Sequence, residues 1–140
     1  MRGVRTSLWK PALLRTQLRA ILRVAPTSQV RILLPMVTDV EDVRTVRALI
    51  AESLDDLGIE ASPPVGVMIE TPASAMLSDQ LAEVADFLSI GTNDLSQYTL
   101  AIDRGHPQLA ARLDALHPAV LRLMARVAEA GREHLSLIHI

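Results

Sequence analysis

The chain has 140 residues and a net charge of −2, with 49% hydrophobic and 21% charged residues. This composition can bury a core, which excludes a disordered tail, and the balanced charge excludes a basic nucleic-acid-binding surface. Cysteine is absent, which excludes disulfides and thiolate metal sites. No apolar run approaches the roughly 18 residues of a membrane span, and no secretory signal follows the basic N-terminus. We therefore expect a cytoplasmic protein without a nucleic-acid partner.

In the first half of the chain, an amphipathic segment and an apolar run precede a long helix. Residues 11–24 carry leucine and isoleucine at helical spacing, and residues 30–34 form a short apolar run that predicts a strand. Thr38 and Glu41 have the spacing of a capping box, which predicts the start of the next helix. The apolar stripe of that helix ends at Gly58, a residue typical of helix C-termini.

The second half continues the alternation. Residues 65–69 and 86–90 are apolar runs that predict two more strands. A helix is predicted to begin at Pro72 after the first of them, because proline suits the first helical position. Another begins at Gly91 after the second, and a last helix begins at Pro118.

The alternation of strands and helices predicts an α/β fold. Each predicted strand is apolar throughout, as in a parallel sheet that is covered on both faces. Two architectures fit this pattern: a doubly wound open sheet, and part of an eight-stranded (β/α)8 barrel. A barrel needs about 200 residues or more. A chain with three predicted strands would therefore hold only part of one.

Polar side chains follow two of the predicted strands. Glu70 comes directly after the strand at 65–69, and Asn93 and Asp94 come shortly after the strand at 86–90. In both architectures the carboxyl ends of parallel strands lie at one edge of the sheet, where active sites are found. Carboxylates at that edge offer the oxygen ligands that Mg2+ or Mn2+ prefers. The pattern predicts a divalent-metal site with open positions for substrate oxygens.

Arginines near this edge are suited to binding an anion. Arg104 lies ten residues after Asp94, and guanidinium groups bind phosphate and carboxylate bidentately. Arg2 and Arg5 precede the first predicted helix and are further candidates for the same edge.

Simpler interpretations of these residues stay open at this point. An aspartate near a helix start, such as Asp94, is often a helix cap. Glu70 fits a solvated loop equally well. Arg104 beside Asp103 is typical of a surface ion pair of little energetic weight.

Three segments carry a resemblance to a known family: "GVMIETPASA" at 66–75, "DFLSIGTNDLSQYTLAIDRG" at 86–105 and "HPAVLRLM" at 117–124. They resemble the phosphoenolpyruvate-binding domain of the PEP-utilising enzymes. Within that group the chain is most similar to the enzyme I type of the bacterial sugar phosphotransferase system. The similarity runs from about residue 2 to residue 132, and the long middle segment is highly specific.

The resemblance implies a TIM-type barrel, of which this chain would hold about three consecutive strands. It implies that Glu70 and Asp94 are magnesium ligands. It also implies that Asn93 and Asp94 contact phosphoenolpyruvate and that Arg104 and Arg2 bind the substrate, with Arg2 the less secure match. The cofactor expected from the family is therefore Mg2+.

The reaction implied by the resemblance moves the phosphoryl group of phosphoenolpyruvate to a histidine of a separate domain and then to the carrier protein HPr, for sugar uptake. In the family the domain also forms homodimers. This chain contains neither the family's cysteine acid nor its phosphohistidine domain. We therefore expect residues 1–132 to be a partial barrel domain that does not turn over phosphoenolpyruvate alone, and residues 133–140 to be a tail that does not match the family.

Other functions are compatible with the same residues. Pyruvate phosphate dikinase, phosphoenolpyruvate synthase and lyases of the citrate lyase type also place carboxylates at strand ends. A non-enzymatic alternative is a dimerisation or regulatory module that catalyses no reaction. Phosphotransfer to HPr distinguishes enzyme I from the other enzymes, and metal binding by Glu70 and Asp94 distinguishes all of them from the module.

Overall fold

The fold is a parallel sheet whose strands are connected by helices. The computed structural model describes residues 3–134 and 137–139, the last three by their backbone alone. In this part of the chain the regular elements are, in order, α1 (Val4–Trp9), α2 (Pro11–Leu22), β1 (Ile32–Leu34), α3 (Val40–Leu57), β2 (Val65–Ile69), α4 (Pro72–Met76), α5 (Ser78–Val84), β3 (Phe87–Ile90), α6 (Thr92–Leu100), α7 (Pro118–Glu133) and β4 (Leu137–His139).

The strands lie in the sheet in the order in which they occur in the chain, β1-β2-β3-β4, and all neighbours are parallel. Doubly wound sheets reverse their strand order at a switch point, whereas barrel strands follow one another around the barrel. The order observed in the described residues is therefore that of a barrel segment, and it confirms the α/β barrel prediction. The fourth strand is an addition, because the sequence predicted only three.

The two faces of the sheet differ in their surroundings. One face forms the hydrophobic core with the helices, and its strand residues are Ile32, Leu34, Val65, Val67, Ile69, Leu88 and Ile90. The opposite face carries the alternate residues, which include Leu33, Gly66, Met68, Phe87 and Ser89. Side chains of a strand alternate between faces, so Glu70, two positions after Met68, belongs to the second face. That is the face that points into the centre of an α/β barrel.

The start of α3 corrects one prediction. Its N-cap is Asp39, whose side chain accepts a hydrogen bond of 3.1 Å from the backbone N–H of Asp42. The carboxylate of Asp42 in turn accepts a hydrogen bond of 3.1 Å from the N–H of Thr38. The capping box predicted for Thr38 and Glu41 is therefore wrong by one residue. The reason is chemical, since Asp39 is as good an N-cap as threonine and lies one position closer to the helix.

Three other boundaries agree with the sequence, whereas β1 and β3 are shorter than the predicted 30–34 and 86–90, and α2 ends two residues before the predicted position 24. β2 spans the predicted 65–69, α3 ends at Gly58 in the left-handed conformation (φ 64°), and α7 begins at Pro118. α1 was not predicted, because its six residues are too few to show helical periodicity. β4 falls within the range 133–140, whose assignment as a tail outside the family stays a prediction. Within the described residues, no helix combines the length and apolar composition needed to cross a membrane.

Candidate substrate and metal site

The candidate site lies at the carboxyl ends of β1, β2 and β3. Ile69 pairs with Ile90 at the last position of the β2–β3 register, and the N–H of Gly91 donates a hydrogen bond of 3.0 Å to the carbonyl of Ile69. The pairing thus continues one residue beyond the strands. It brings Glu70, the next residue after β2, alongside Gly91, the residue before α6.

Glu70 is a buried acid whose carboxylate accepts a hydrogen bond from a backbone N–H. Its exposed fraction is 5%, and its Oε1 accepts a hydrogen bond of 2.7 Å from the N–H of Met36, just after β1. Its Oε2 is on the side of Gly91, where a Cβ would lie 2.9 Å from that oxygen and 2.8 Å from the Cβ of Glu70. The interpretation of Glu70 as a solvated loop residue does not agree with this burial. A carboxylate is rarely buried without a specific role or partner.

Asp94 stands at the third position of α6 and is not its cap. The N-cap position is taken by Gly91, which makes no side-chain capping hydrogen bond. The Asp94 carboxylate lies in the first turn, where the helix dipole favours a negative charge. Its side chain is 14% exposed. Asn93 precedes it at the second helical position and is exposed.

Arg104 returns to this helix after the turn that follows α6. Its Nη2 lies 3.9 Å from Oδ2 of Asp94, and its own N–H donates a hydrogen bond of 3.1 Å to the side-chain oxygen of Gln97. The neighbouring Asp103 accepts a hydrogen bond of 2.8 Å from the N–H of Gly105. Arg104 thus pairs with the acid of the candidate site. Its side chain remains 49% exposed, so it is accessible to a bound anion.

The two N-terminal arginines have different outcomes. Arg2 lies outside the described residues, directly before Gly3. Arg5 was predicted to precede the first helix, but it lies within α1, because that helix begins at Val4. Its guanidinium donates a hydrogen bond to Oγ1 of Thr38 in the loop after β1. Arg5 is therefore at the same edge of the sheet as Glu70.

Met36 is the residue that sequence reasoning missed. It contributes a backbone N–H to Glu70 from a left-handed conformation (φ 56°) that residues other than glycine rarely adopt. A backbone N–H donor cannot be predicted from a pattern of side chains. The only local sign is the preceding Pro35, which ends the strand.

The chemistry of these residues fits a magnesium ion. Mg2+ is usually bound by one or two carboxylates together with water and substrate phosphate, rather than by a complete set of protein ligands. Glu70 and Asp94 supply two carboxylates at one edge of the sheet, on adjacent parallel strands or just beyond them. Among the described residues no cluster of three or more histidine, cysteine or acidic side chains is placed to hold a metal. A two-carboxylate site that shares its ion with a ligand is consistent with both observations.

The sequence of the chain is related to proteins of phosphoryl transfer. A family model described as "PEP-utilising enzyme, PEP-binding domain" matches residues 1–140. The chain is 49% identical to a multiphosphoryl transfer protein of Rhodobacter capsulatus over 94% of its length and 16% of the relative's. It is 48% identical to a phosphoenolpyruvate-protein phosphotransferase of Cupriavidus necator, over 94% of its length and 24% of the relative's. The chain thus spans less than a quarter of the length of these relatives.

A solved structure supports the architecture. The fold superimposes on the crystal structure of a citrate lyase from Burkholderia xenovorans LB400 with a TM-score of 0.71 and 27% sequence identity. The match covers 89% of this chain and 39% of the citrate lyase chain.

Proposed function

We propose, from the premise that this chain belongs to the PEP-binding domain family of the PEP-utilising enzymes, that its carboxyl-end rim binds phosphoenolpyruvate together with Mg2+. In this proposal Glu70 and Asp94 hold the metal. Asn93, Arg104 and Arg2 bind the substrate, and Asp94 contacts both metal and substrate.

One arrangement carries the proposal. Glu70 is buried beside Gly91 at the start of α6, and Asp94 in the first turn of that helix is paired with Arg104 at 3.9 Å. Acid, acid and arginine therefore follow one another along one edge of the sheet. This order matches a ligand that combines a metal ion with a phosphate, because the carboxylates attract the ion and the guanidinium attracts the phosphate oxygens.

Each residue has a defined task in this site. Glu70 is fixed by Met36, so its second oxygen can bind a metal ion without a search through rotamers. Arg104 exchanges its long contact with Asp94 for the substrate phosphate when both ligands are present. When bound, Mg2+ supplies positive charge that would stabilise the negative charge developing on the oxygens of phosphoenolpyruvate.

The longer protein to which such a domain belongs has a wider proposed role. There the phosphoryl group passes from phosphoenolpyruvate to a histidine on another domain and then to HPr, in support of sugar uptake. We propose that this protein acts in the cytoplasm as a homodimer. The names of the phosphotransferase relatives support phosphoryl transfer from phosphoenolpyruvate, and in this proposal the 140 residues supply the substrate-binding part.

Titration of the chain with Mn2+, a paramagnetic substitute for Mg2+, tests the proposal. We expect saturable binding that tightens in the presence of phosphoenolpyruvate and that is lost in Glu70→Gln and in Asp94→Asn. Glu60→Gln and Asp55→Asn are matched controls, because both residues are exposed and lie near the amino end of β2, opposite the site. If all four variants bind Mn2+ like the parent chain, the metal site is wrong, and the non-catalytic module becomes the better description.

The likeness to a citrate lyase supports a second candidate. A site of this class would bind, together with Mg2+, a carboxylic acid that carries no phosphate group. Competition distinguishes the two functions: oxaloacetate should displace bound phosphoenolpyruvate only weakly if Arg104 recognises phosphate, and strongly if the site is made for di- and tricarboxylates.

A further inference from the structure

The buried acid at the candidate metal site depends on a residue in an unfavourable conformation. Met36 adopts φ 56°, and this conformation presents its N–H to Oε1 of Glu70 at 2.7 Å. The left-handed region is costly for a side chain with a Cβ, so neighbouring contacts must stabilise it. The source of that stabilisation determines how firmly Glu70 is held.

The contacts come from the turn before α1. A Cβ on Gly3 would lie 2.6 Å from the Cβ of Met36 and 2.8 Å from the carbonyl oxygen of Pro35, so the backbone of Gly3 is in direct contact with both. The N–H of Val4 donates a hydrogen bond of 3.0 Å to the same carbonyl. Val4 is also 2% exposed, which anchors the turn in the core.

A second attachment lies two residues further along. Arg5 donates a hydrogen bond to Oγ1 of Thr38. The segment 3–5 thus spans the segment 35–38 and touches it at both ends. Only glycine fits the first contact, because any side chain at position 3 would overlap Met36, and Gly3 itself has a left-handed φ of 57°.

We infer that the turn at Gly3 is a positioning element for Glu70: it holds the Pro35–Met36 backbone so that the Met36 N–H fixes the carboxylate in its metal-binding orientation. This inference rests on the proposed metal site. It gives this segment a task in the proposed metal site, because the contacts of Gly3 with Pro35 and Met36 set the orientation of a proposed metal ligand. Residues that orient metal ligands affect metal affinity without touching the ion.

Gly3→Ala tests the inference with two measurements. We expect Mn2+ affinity to fall about tenfold or more, as for other losses of groups that orient ligands. We also expect the Met36 amide to exchange its hydrogen faster, as it should in Glu70→Ala, which removes the acceptor. Gly58→Ala is the matched control: Gly58 has a φ of 64°, but a Cβ there meets nothing within 4 Å. It therefore imposes the same backbone strain without the contact, and it should change neither measurement.

A double variant separates displacement of Met36 from general damage. Combining Gly3→Ala with Met36→Gly removes the Cβ and Cγ that the new methyl group would meet, while it keeps the N–H that binds Glu70. We expect this variant to recover part of the Mn2+ affinity and of the amide protection. The inference is overturned if Gly3→Ala leaves the Met36 amide as protected as in the parent chain, or if the double variant recovers nothing.

The two proposals fail in different ways. If the parent chain binds Mn2+ independently of Glu70, the proposed function fails, whatever Gly3 does. If metal binding requires Glu70 but Gly3→Ala binds Mn2+ as tightly as Gly58→Ala, only the positioning role fails.

Discussion

Gly91 lies so close to Glu70 that a Cβ at position 91 would be 2.8 Å from the Cβ of Glu70 and 2.9 Å from its Oε2. Real Cβ contacts are almost never this short, so the glycine is required by the acid next to it rather than by its own backbone angles. It allows the start of α6, with Asp94, to approach the end of β2. In the proposed metal site, this close approach is what allows the two carboxylates to reach one ion.

Gly91→Ala is therefore expected to weaken metal binding. The new methyl group must push the Glu70 carboxylate away from Met36 or move the start of α6. Overpacking of this kind typically costs about 1–3 kcal/mol of stability, and Mn2+ affinity should fall with it. Calorimetric Mn2+ titration together with urea unfolding would measure both effects.

Gly66→Ala is the control for that experiment. A Cβ there would lie 2.3 Å from the Phe87 ring, at the opposite end of the same strand pair. It should lower the free energy of unfolding at least as much as Gly91→Ala does. At a temperature where it remains folded, it should bind Mn2+ normally. Equal loss of affinity in the two variants would mean that metal binding follows global stability, not the Gly91–Glu70 contact.

Arg104→Ala should separate anion binding from metal binding. The guanidinium lies 3.9 Å from Asp94 and is half exposed, so its removal leaves both carboxylates in place. Loss of a hydrogen bond to a charged group costs about 1.5–3 kcal/mol, which corresponds to roughly a 10- to 100-fold weaker affinity for phosphoenolpyruvate. Mn2+ alone should bind as tightly as before or more tightly, because a nearby positive charge is gone.

Arg112→Ala is the matched control, since Arg112 is an exposed arginine in the short 3-10 helix at Ala110–Arg112. It should leave both affinities unchanged. Arg104→Lys retains the charge but not the bidentate geometry, so an intermediate affinity for phosphoenolpyruvate is expected. If Arg104→Ala binds phosphoenolpyruvate as well as Arg112→Ala does, Arg104 is only a structural partner of Asp94.

The sequence predicted the strands and the acids, but not what holds the acids in place. Apolar strands that are followed by Glu70 and Asp94 can be recognised from residue types alone, because hydrophobicity and charge are properties of side chains. The orientation of Glu70 depends on a backbone N–H from Met36, 34 residues earlier, and on the absence of a Cβ at Gly91. Such contacts depend on the register of the sheet, which a single sequence with several admissible topologies does not determine.

The corrected cap of α3 gives a prediction about stability. Asp39→Ala removes the carboxylate that accepts from the N–H of Asp42, and loss of an N-cap costs about 0.5–2 kcal/mol. Glu41→Ala is the control, because Glu41 would contribute to the cap only in the capping box with Thr38 that the sequence predicted. Its observed partner is Arg44 at 4.0 Å, an exposed ion pair worth little. The free energy of unfolding in urea should therefore be clearly lower for Asp39→Ala than for Glu41→Ala. The reverse order would support the capping box of Thr38 and Glu41 that the sequence predicted.

Asp86 ties the amino ends of β2 and β3 together, and its replacement should be the more damaging of two similar changes. Its Oδ2 accepts hydrogen bonds from the N–H of Val65 at 2.7 Å and from Arg47 at 2.8 Å. Val65 is fully buried, so Asp86→Ala leaves a buried N–H without an acceptor, at a cost of about 1–3 kcal/mol. Asp56→Ala removes a carboxylate that pairs with Arg19 at 2.7 Å on the surface, and such exposed pairs contribute about 0–1 kcal/mol.

The same unfolding experiment can decide which of the two contacts of Asp86 matters. Asp86→Asn keeps an oxygen that can accept from Val65 but loses the charge that attracts Arg47. If the backbone hydrogen bond dominates, Asp86→Asn should retain most of the stability that Asp86→Ala loses, and Arg47→Ala should be milder than Asp86→Ala. Equal losses in Asp86→Asn and Asp86→Ala would instead assign the stabilisation to the ion pair, against the expectation for a pair in which both side chains are more than one third exposed.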